Sequence, residues 1–164
     1  MKTFTDGAGR MWTLTITVDA LKRVQGLVGV NLADIAEPQR DSKLPLLTEL
    51  ETDLVLLCDV IFALVKPQAE QAGVSDGEFG RALGGEAIAA AHNAFWQELA
   101  DFFRRLPNRQ AHVRAIEKQH ALVKAAVTAA EQRIETLIVE DQVARVFGDS
   151  SSSSPASPGS IPDR

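Results

Sequence analysis

The fold is decided by the stretch Asp53–Val65, which reads DLVLLCDVIFALV and is the most apolar segment of the chain. Its apolar residues recur at three- and four-residue steps, the spacing that aligns side chains along one face of a helix. These residues are Leu54, Leu57, Cys58, Ile61, Leu64 and Val65, with Val55 and Phe62 widening the stripe. Asp53 can cap this helix, and Pro67 predicts its end or a kink. We therefore expect a central core helix that the other elements cover.

A β-hairpin is predicted upstream, over residues 2–18. In Met11–Val18 apolar side chains alternate with threonines, which is the period-two pattern of a strand with one buried face. The connector Asp6–Arg10 contains two glycines able to adopt positive φ, as hairpin loops require. An isolated two-stranded ribbon is only marginally stable, so this one must pack on helices or join another sheet.

Helices are predicted for most of the remaining chain, which makes the fold mainly α (α+β). Asp19 is expected to cap a helix over 20–28, and a short helix is expected over 45–50. Ser75 and Glu78 have capping-box spacing at the start of another short helix. A strong amphipathic helix follows over Glu86–Leu106. The whole is predicted to be one domain over 1–147.

Two aromatic residues, Trp96 and Phe103, lie seven apart beside the apolar stripe of Glu86–Leu106. They form either the seat of the hairpin or an exposed partner-binding ledge. We favour the first interpretation, because aromatic residues at helical spacing are usually core.

A long helix is predicted over 110–147, since this segment has no internal Gly or Pro. Its apolar residues alternate in steps of three and four, which is a heptad seam. The seam residues that we assign to partner binding are Val113, Ile116, Val123, Val127, Ile134 and Leu137. The helix is either a docking or oligomerisation arm or simply the last helix of the bundle. Residues 148–164, rich in Ser and Pro, are predicted to be a disordered tail.

Composition argues against several classes of function. The chain carries 22 acidic and 17 basic residues, a net charge of −5, and only 5% aromatic residues, so no nucleic-acid partner is expected. Asp53–Val65 is shorter than the roughly 20 apolar residues of a membrane span, so no membrane association is expected. The single cysteine excludes an internal disulfide and is compatible with a cytoplasmic protein.

No catalytic residue, cofactor or metal site is predicted. His112 and His120 are eight apart, too far for paired zinc ligands on one helix. Glu117 and His120 have the Glu-x-x-His spacing of bundle metal sites, but neither His92 nor His112 supplies a second such pair. We therefore expect a protein that is not an enzyme.

The order of the parts resembles a known family. A Thr-rich hairpin leads into DALKRV at Asp19–Val24, followed later by LCDVIFAL at Leu57–Leu64 and by GVSDGEFG at Gly73–Gly80. Over roughly residues 1–106 this arrangement resembles the tail assembly chaperones of tailed phages and prophages. The resemblance implies a non-enzymatic protein that binds and shields the tape-measure protein in the host cytoplasm during tail morphogenesis. The alternative is a structural virion component, or a helical protein that self-assembles into a homo-oligomer.

Overall fold

The computed structural model describes residues 1–147, except for the side chains of Val127, Glu131, Leu137 and 139–147. It confirms a mainly helical fold with an N-terminal antiparallel hairpin and a long C-terminal helix. A short 3₁₀ helix, Leu32–Asp34, lies between the first two α-helices. In chain order the other elements are β1 (Lys2–Thr5), β2 (Met11–Leu14), α1 (Val18–Val28), α2 (Leu46–Thr52), α3 (Leu54–Gln71), α4 (Asp76–Ala82), α5 (Glu86–Arg104) and α6 (Gln110–Phe147). The predicted disordered tail, 148–164, lies outside the described residues.

The chain is divided into two compact units, Met1–Val123 and Lys124–Arg164. This differs from the single domain predicted over 1–147, because the boundary falls within α6. The first unit contains the hairpin, α1 to α5 and the beginning of α6. In the second unit the structure describes helix over 124–147.

The central helix α3 is buried on more sides than the sequence stripe predicted. Its buried residues are Leu56, Leu57, Val60, Ile61, Ala63, Leu64, Val65 and Ala69. Leu54 and Val55, which we placed on the stripe, are 56% and 72% exposed because they form the first turn beyond the cap. The cap itself is confirmed, since the Asp53 carboxylate accepts hydrogen bonds from the backbone N–H groups of Val55 and Leu56 at 3.0 Å.

Pro67 does not end α3, which continues to Gln71. A proline has no N–H, so the carbonyl of Ala63 loses the partner that residue 67 would provide in a regular helix. Arg23 of α1 replaces it: its Nε donates to the Ala63 oxygen at 2.7 Å, and its Nη2 donates to the Leu64 oxygen at 3.3 Å. The guanidinium is held by Asp19 at 2.7 Å. This contact between α1 and α3 replaces the missing backbone donor, and α3 continues past Pro67 as one helix.

The hairpin is shorter than predicted. β2 ends at Leu14, and the chain already turns into α1 at Val18, whose neighbour Thr17 is the N-cap in place of Asp19. Thr17 is extended, and its hydroxyl accepts a hydrogen bond from the Ala20 N–H at 3.1 Å. A threonine hydroxyl thus satisfies a first-turn donor in place of the carboxylate two residues later that the sequence predicts as the cap.

Asp6 organises the hairpin loop from the inside. It is buried, and its two carboxylate oxygens accept four hydrogen bonds: from the backbone of Ala8 and Arg10, the Arg10 guanidinium at 2.7 Å, and the Trp12 indole at 2.9 Å. Burial opposes ionisation, but these donors outweigh it, so the pKa of Asp6 lies below its usual value. Of the two loop glycines only Gly9 adopts positive φ, whereas Gly7 allows a close approach to the Ala82 carbonyl.

An aromatic cluster joins the hairpin to α3 and α4. The ring of Phe79 lies 5.3 Å from those of Trp12 and Phe62 and 6.5 Å from that of Phe4, centroid to centroid. Its helix α4 begins with the predicted capping box of Ser75 and Glu78, in which each side chain bonds the other residue's backbone N–H. Phe4 and Phe79 are both buried in this cluster.

Gln68 on α3 pairs with the outer edge of β2. Its amide accepts from the Thr13 N–H at 3.0 Å and donates to the Thr13 carbonyl at 2.7 Å. The other strand, β1, packs against α5. The two-stranded sheet is thus held between two long helices. In the described part of the chain no helix has the length and apolar character needed to cross a membrane.

We predict that Arg23→Ala lowers the free energy of unfolding by about 1–3 kcal/mol, because it leaves the Ala63 carbonyl unpaired. Urea unfolding measures this, and Lys22→Ala, an exposed neighbour on the same helix, should cost under about 0.5 kcal/mol. In a Pro67→Ala background residue 67 regains its N–H, so Arg23→Ala should then cost less. An equal cost in both backgrounds would contradict the proposed role.

We also predict that Asp6→Asn destabilises the protein by about 1–3 kcal/mol near neutral pH. Because the pKa of Asp6 is lowered on folding, the carboxylate stabilises the fold above its unfolded value near 3.8 and loses this effect as the pH falls through the folded value. Urea midpoints of wild type and variant should therefore converge on acidification. The exposed Asp41→Asn is the control, and a deficit that is the same at every pH would count against this account.

Candidate functional site

Four of the predicted partner-binding residues are part of the core. Trp96 and Phe103 on α5 are 2% and 0% exposed, and Val113 and Ile116 on α6 are buried as well. This burial contradicts the exposed ledge for Trp96 and Phe103, whereas the seat of the hairpin, which we favoured, stays a prediction. The prediction for all four as an accessible surface is corrected, because the first turns of α6 cover α5: the ring of His112 stacks on Phe103 at 5.0 Å.

The later seam residues whose side chains are described are more exposed than these four. Val123 is half-buried, and Ile134 is 58% exposed. Ile138, one turn after Ile134, is 53% exposed. The predicted seam residues Val127 and Leu137 have side chains outside the described residues. In the second unit, Ile134 and Ile138 therefore present large apolar side chains to solvent on one side of the helix.

A second group was not predicted: the side chains of Glu51, His92 and His120 meet inside the first unit. Each offers a ligand atom, and these three atoms lie within 4.8 Å of one another. Glu51 is on α2, whose buried face also carries Leu46, Leu47 and Leu50. His92 and His120 interrupt the apolar stripes of α5 and α6. Three helices distant in sequence thus supply the cluster.

The contacts in this cluster leave two buried polar atoms without a hydrogen-bond partner among the described residues. Nε2 of His92 lies 2.9 Å from Oε2 of Glu51, and Nδ1 of His120 lies 3.6 Å from Oε1. The second distance is too long for a hydrogen bond. The Glu51 side chain has no exposed surface, and its Oε1 and the Nδ1 of His120 have no hydrogen-bond partner among the described residues. Buried polar atoms of this kind are rare in folded proteins.

Trp96 makes a further polar contact in this cluster. Its indole nitrogen lies 2.9 Å from Nε2 of His92, and the indole N–H can only donate. Oε2 of Glu51, which accepts as a carboxylate, lies 2.9 Å from the same histidine nitrogen. Nε2 can accept from the indole when it is unprotonated or donate to the carboxylate when it is protonated, but it cannot do both, whereas a metal ion on its lone pair would also attract the carboxylate.

A cleft of about 330 Å³ lies beside the cluster. Trp96, Ala100 and Ile116 supply its apolar wall, and His120 lines it too, whereas Glu51 and His92 are not among its lining residues. Its charged groups are paired, with Lys2 3.2 Å from Asp101 and Arg104 3.1 Å from Glu117. Glu117, which we had considered as a metal ligand with His120, is therefore engaged elsewhere. The cleft connects His120 to solvent.

Sequence reasoning missed this cluster for a definable reason. We looked for metal ligands at helical spacing within one segment, whereas these ligands come from three segments. The available signal was that both histidines stood on apolar stripes. Glu51 gave none, because the short helix predicted over 45–50 ends before it.

The lone cysteine lies apart from this cluster in an acidic environment. Burial, together with the charges of Asp59 and Asp76, raises the pKa of the Cys58 thiol. Burial and the same neighbouring Asp76 also raise the pKa of Asp59, which is exposed on α3. Both effects disfavour the thiolate, which is the nucleophilic form of cysteine.

We compared the chain with protein-family models, with curated proteins and with solved structures. The comparisons found no match. Function must therefore be argued from the residues themselves.

Proposed function

We propose that this chain is a non-enzymatic, helical protein-binding module whose long helix α6 binds an amphipathic helix of another protein. The observation that carries the proposal is the exposure of Ile134 and Ile138, at 58% and 53%, one turn apart on α6. Fully burying such a side chain contributes about 1.5–3 kcal/mol. A partner helix that covers both would be bound through the helix-face mode of recognition.

The apolar residues of the seam are used differently in the two units. The earlier seam residues Val113 and Ile116 are used in the core of the first unit, whereas Ile134 and Ile138 belong to the second unit, Lys124–Arg164. Arg133 and Glu135 stand near them on the helix and can set the orientation of a partner through charge complementarity. The apolar pair provides affinity, and the charges provide selectivity.

The partner we propose is a tape-measure protein, which the resemblance to tail assembly chaperones implies. Such a protein is long, helical and apolar, so it needs its amphipathic segments covered until tail-tube subunits assemble around it. A chain acting in this way works in the host cytoplasm during phage assembly and needs no cofactor. Self-assembly of the chain through the same face, as a virion component or helical oligomer, is the competing outcome.

We predict that co-expression with the neighbouring tape-measure-type protein raises the soluble yield of that protein and recovers a complex. The double variant Ile134→Ser, Ile138→Ser should weaken the complex by at least about tenfold, because it removes more than about 1.4 kcal/mol of apolar burial. Pull-down and soluble yield measure the effect. The matched control is Leu27→Ser, Val55→Ser, two residues that are 57% and 72% exposed elsewhere on the surface.

The result decides between partners. An unchanged soluble yield and no recovered complex would contradict the chaperone function. If the chain alone has the mass of a stable oligomer in solution, and the double variant becomes monomeric, the face serves self-assembly instead.

A further inference from the structure

We infer that Glu51, His92 and His120 form a binding site for a divalent transition-metal ion, most suitably Zn²⁺. This inference goes beyond the proposed partner binding and does not depend on it. It concerns the first unit, whereas the exposed pair on α6 belongs to the second.

The donor set matches the chemistry of the ion. One carboxylate and two imidazoles are a ligand combination that zinc accepts with a fourth position left for water. Carboxylate and neutral imidazole offset the ion's double charge in part, and neither histidine has to be protonated for the group to hold together. A hard ion such as Mg²⁺ prefers an all-oxygen environment and fits these donors poorly.

The distances need only small side-chain movements. Ligands bound to tetrahedral zinc at about 2.0–2.2 Å lie about 3.3 Å from one another. Here the carboxylate oxygens lie 2.9 Å from Nε2 of His92 and 3.6 Å from Nδ1 of His120. The three ligand atoms are within 4.8 Å of one another in all pairs. Rotation of the half-buried His120 ring can close the remaining gap, since that ring borders the cleft.

The unsatisfied atoms favour a metal ion over a proton. A proton on His92 lets Nε2 donate to the carboxylate but leaves Oε1 of Glu51 and Nδ1 of His120 without partners among the described residues. One metal ion at the centre of the cluster binds all three side chains at once. Burying the Glu51 carboxylate completely is costly unless such a counter-charge is present.

Trp96 supplies a built-in reporter. Its indole nitrogen lies 2.9 Å from the His92 nitrogen whose lone pair the ion would take. Metal binding there must therefore change the environment of the indole. Trp96 also lines the cleft beside His120, through which an ion can enter.

The test uses the untagged full chain after a chelator has removed any bound metal. ZnCl₂ is titrated into this protein, and binding is followed by calorimetry and by tryptophan emission. We expect one ion per chain, a change in emission, and a rise in melting temperature with Zn²⁺ concentration. Co²⁺ in place of Zn²⁺ should give the visible absorption bands of a tetrahedral site.

Three single variants test the site, two of them at proposed ligands and one as a control. Glu51→Gln and His120→Gln should each weaken Zn²⁺ binding by at least about tenfold and abolish the thermal shift. His112→Gln is the matched control, because His112 is on the same helix but lies 3.1 Å from Arg109 and stacks on Phe103. Circular dichroism without metal establishes that each variant is folded, and His120, at the border of the cleft, is the substitution least able to disturb the core.

The outcomes are distinct. Binding that is lost in His120→Gln and Glu51→Gln but retained in His112→Gln supports the site. The absence of binding up to about 100 µM Zn²⁺ overturns the proposal, because protein zinc sites have a much lower Kd. Equal weakening of binding by His112→Gln also overturns it, since this result would indicate an adventitious ion only. Neither result bears on the Ile134 and Ile138 face, so the two proposals can fail separately.

Discussion

A helix that packs into a core must pair its backbone groups within the protein, and α3 cannot do so alone because Pro67 removes one donor from its ladder. Arg23 supplies the missing donor from α1, and Asp19 holds the guanidinium in position. This contact ties α1 to α3, and α3 also packs against α2, α4, α5 and β2.

The buried carboxylates of the fold also need hydrogen-bond donors from the protein. Among the described residues three are buried: Asp6, Glu51 and Glu98. Asp6 receives four donors within its own loop. Glu98 pairs with the amino group of Met1 and lies 3.4 Å from the Ile16 N–H, so it links α5 to the hairpin. Glu51 has the poorest set of donors of the three, and it is also the one that faces two histidines. The difference between a structural carboxylate and a candidate ligand is visible in this comparison.

The sequence was sufficient for what local patterns encode. The central helix, its Asp53 cap, the capping box at Ser75 and the extent of α6 follow from spacing and from one or two residues each, and the structure has them. It was insufficient where distant segments meet. Pro67 indicated a break because nothing local showed that Arg23 would replace its N–H. Trp96 fitted two roles, and only the packing of α6 on α5 distinguishes them. Glu51, His92 and His120 could not be grouped, since 41 residues separate the first two.

The pairing of Gln68 with Thr13 has a consequence for how molecules behave at high concentration. An exposed strand edge is a template on which strands of other chains can add, and such addition leads to fibrils. Proline, lysine or a bulge commonly prevents this. Here a side-chain amide from a helix takes both backbone groups of Thr13, so this edge of the small sheet is closed to intermolecular strand addition at Thr13.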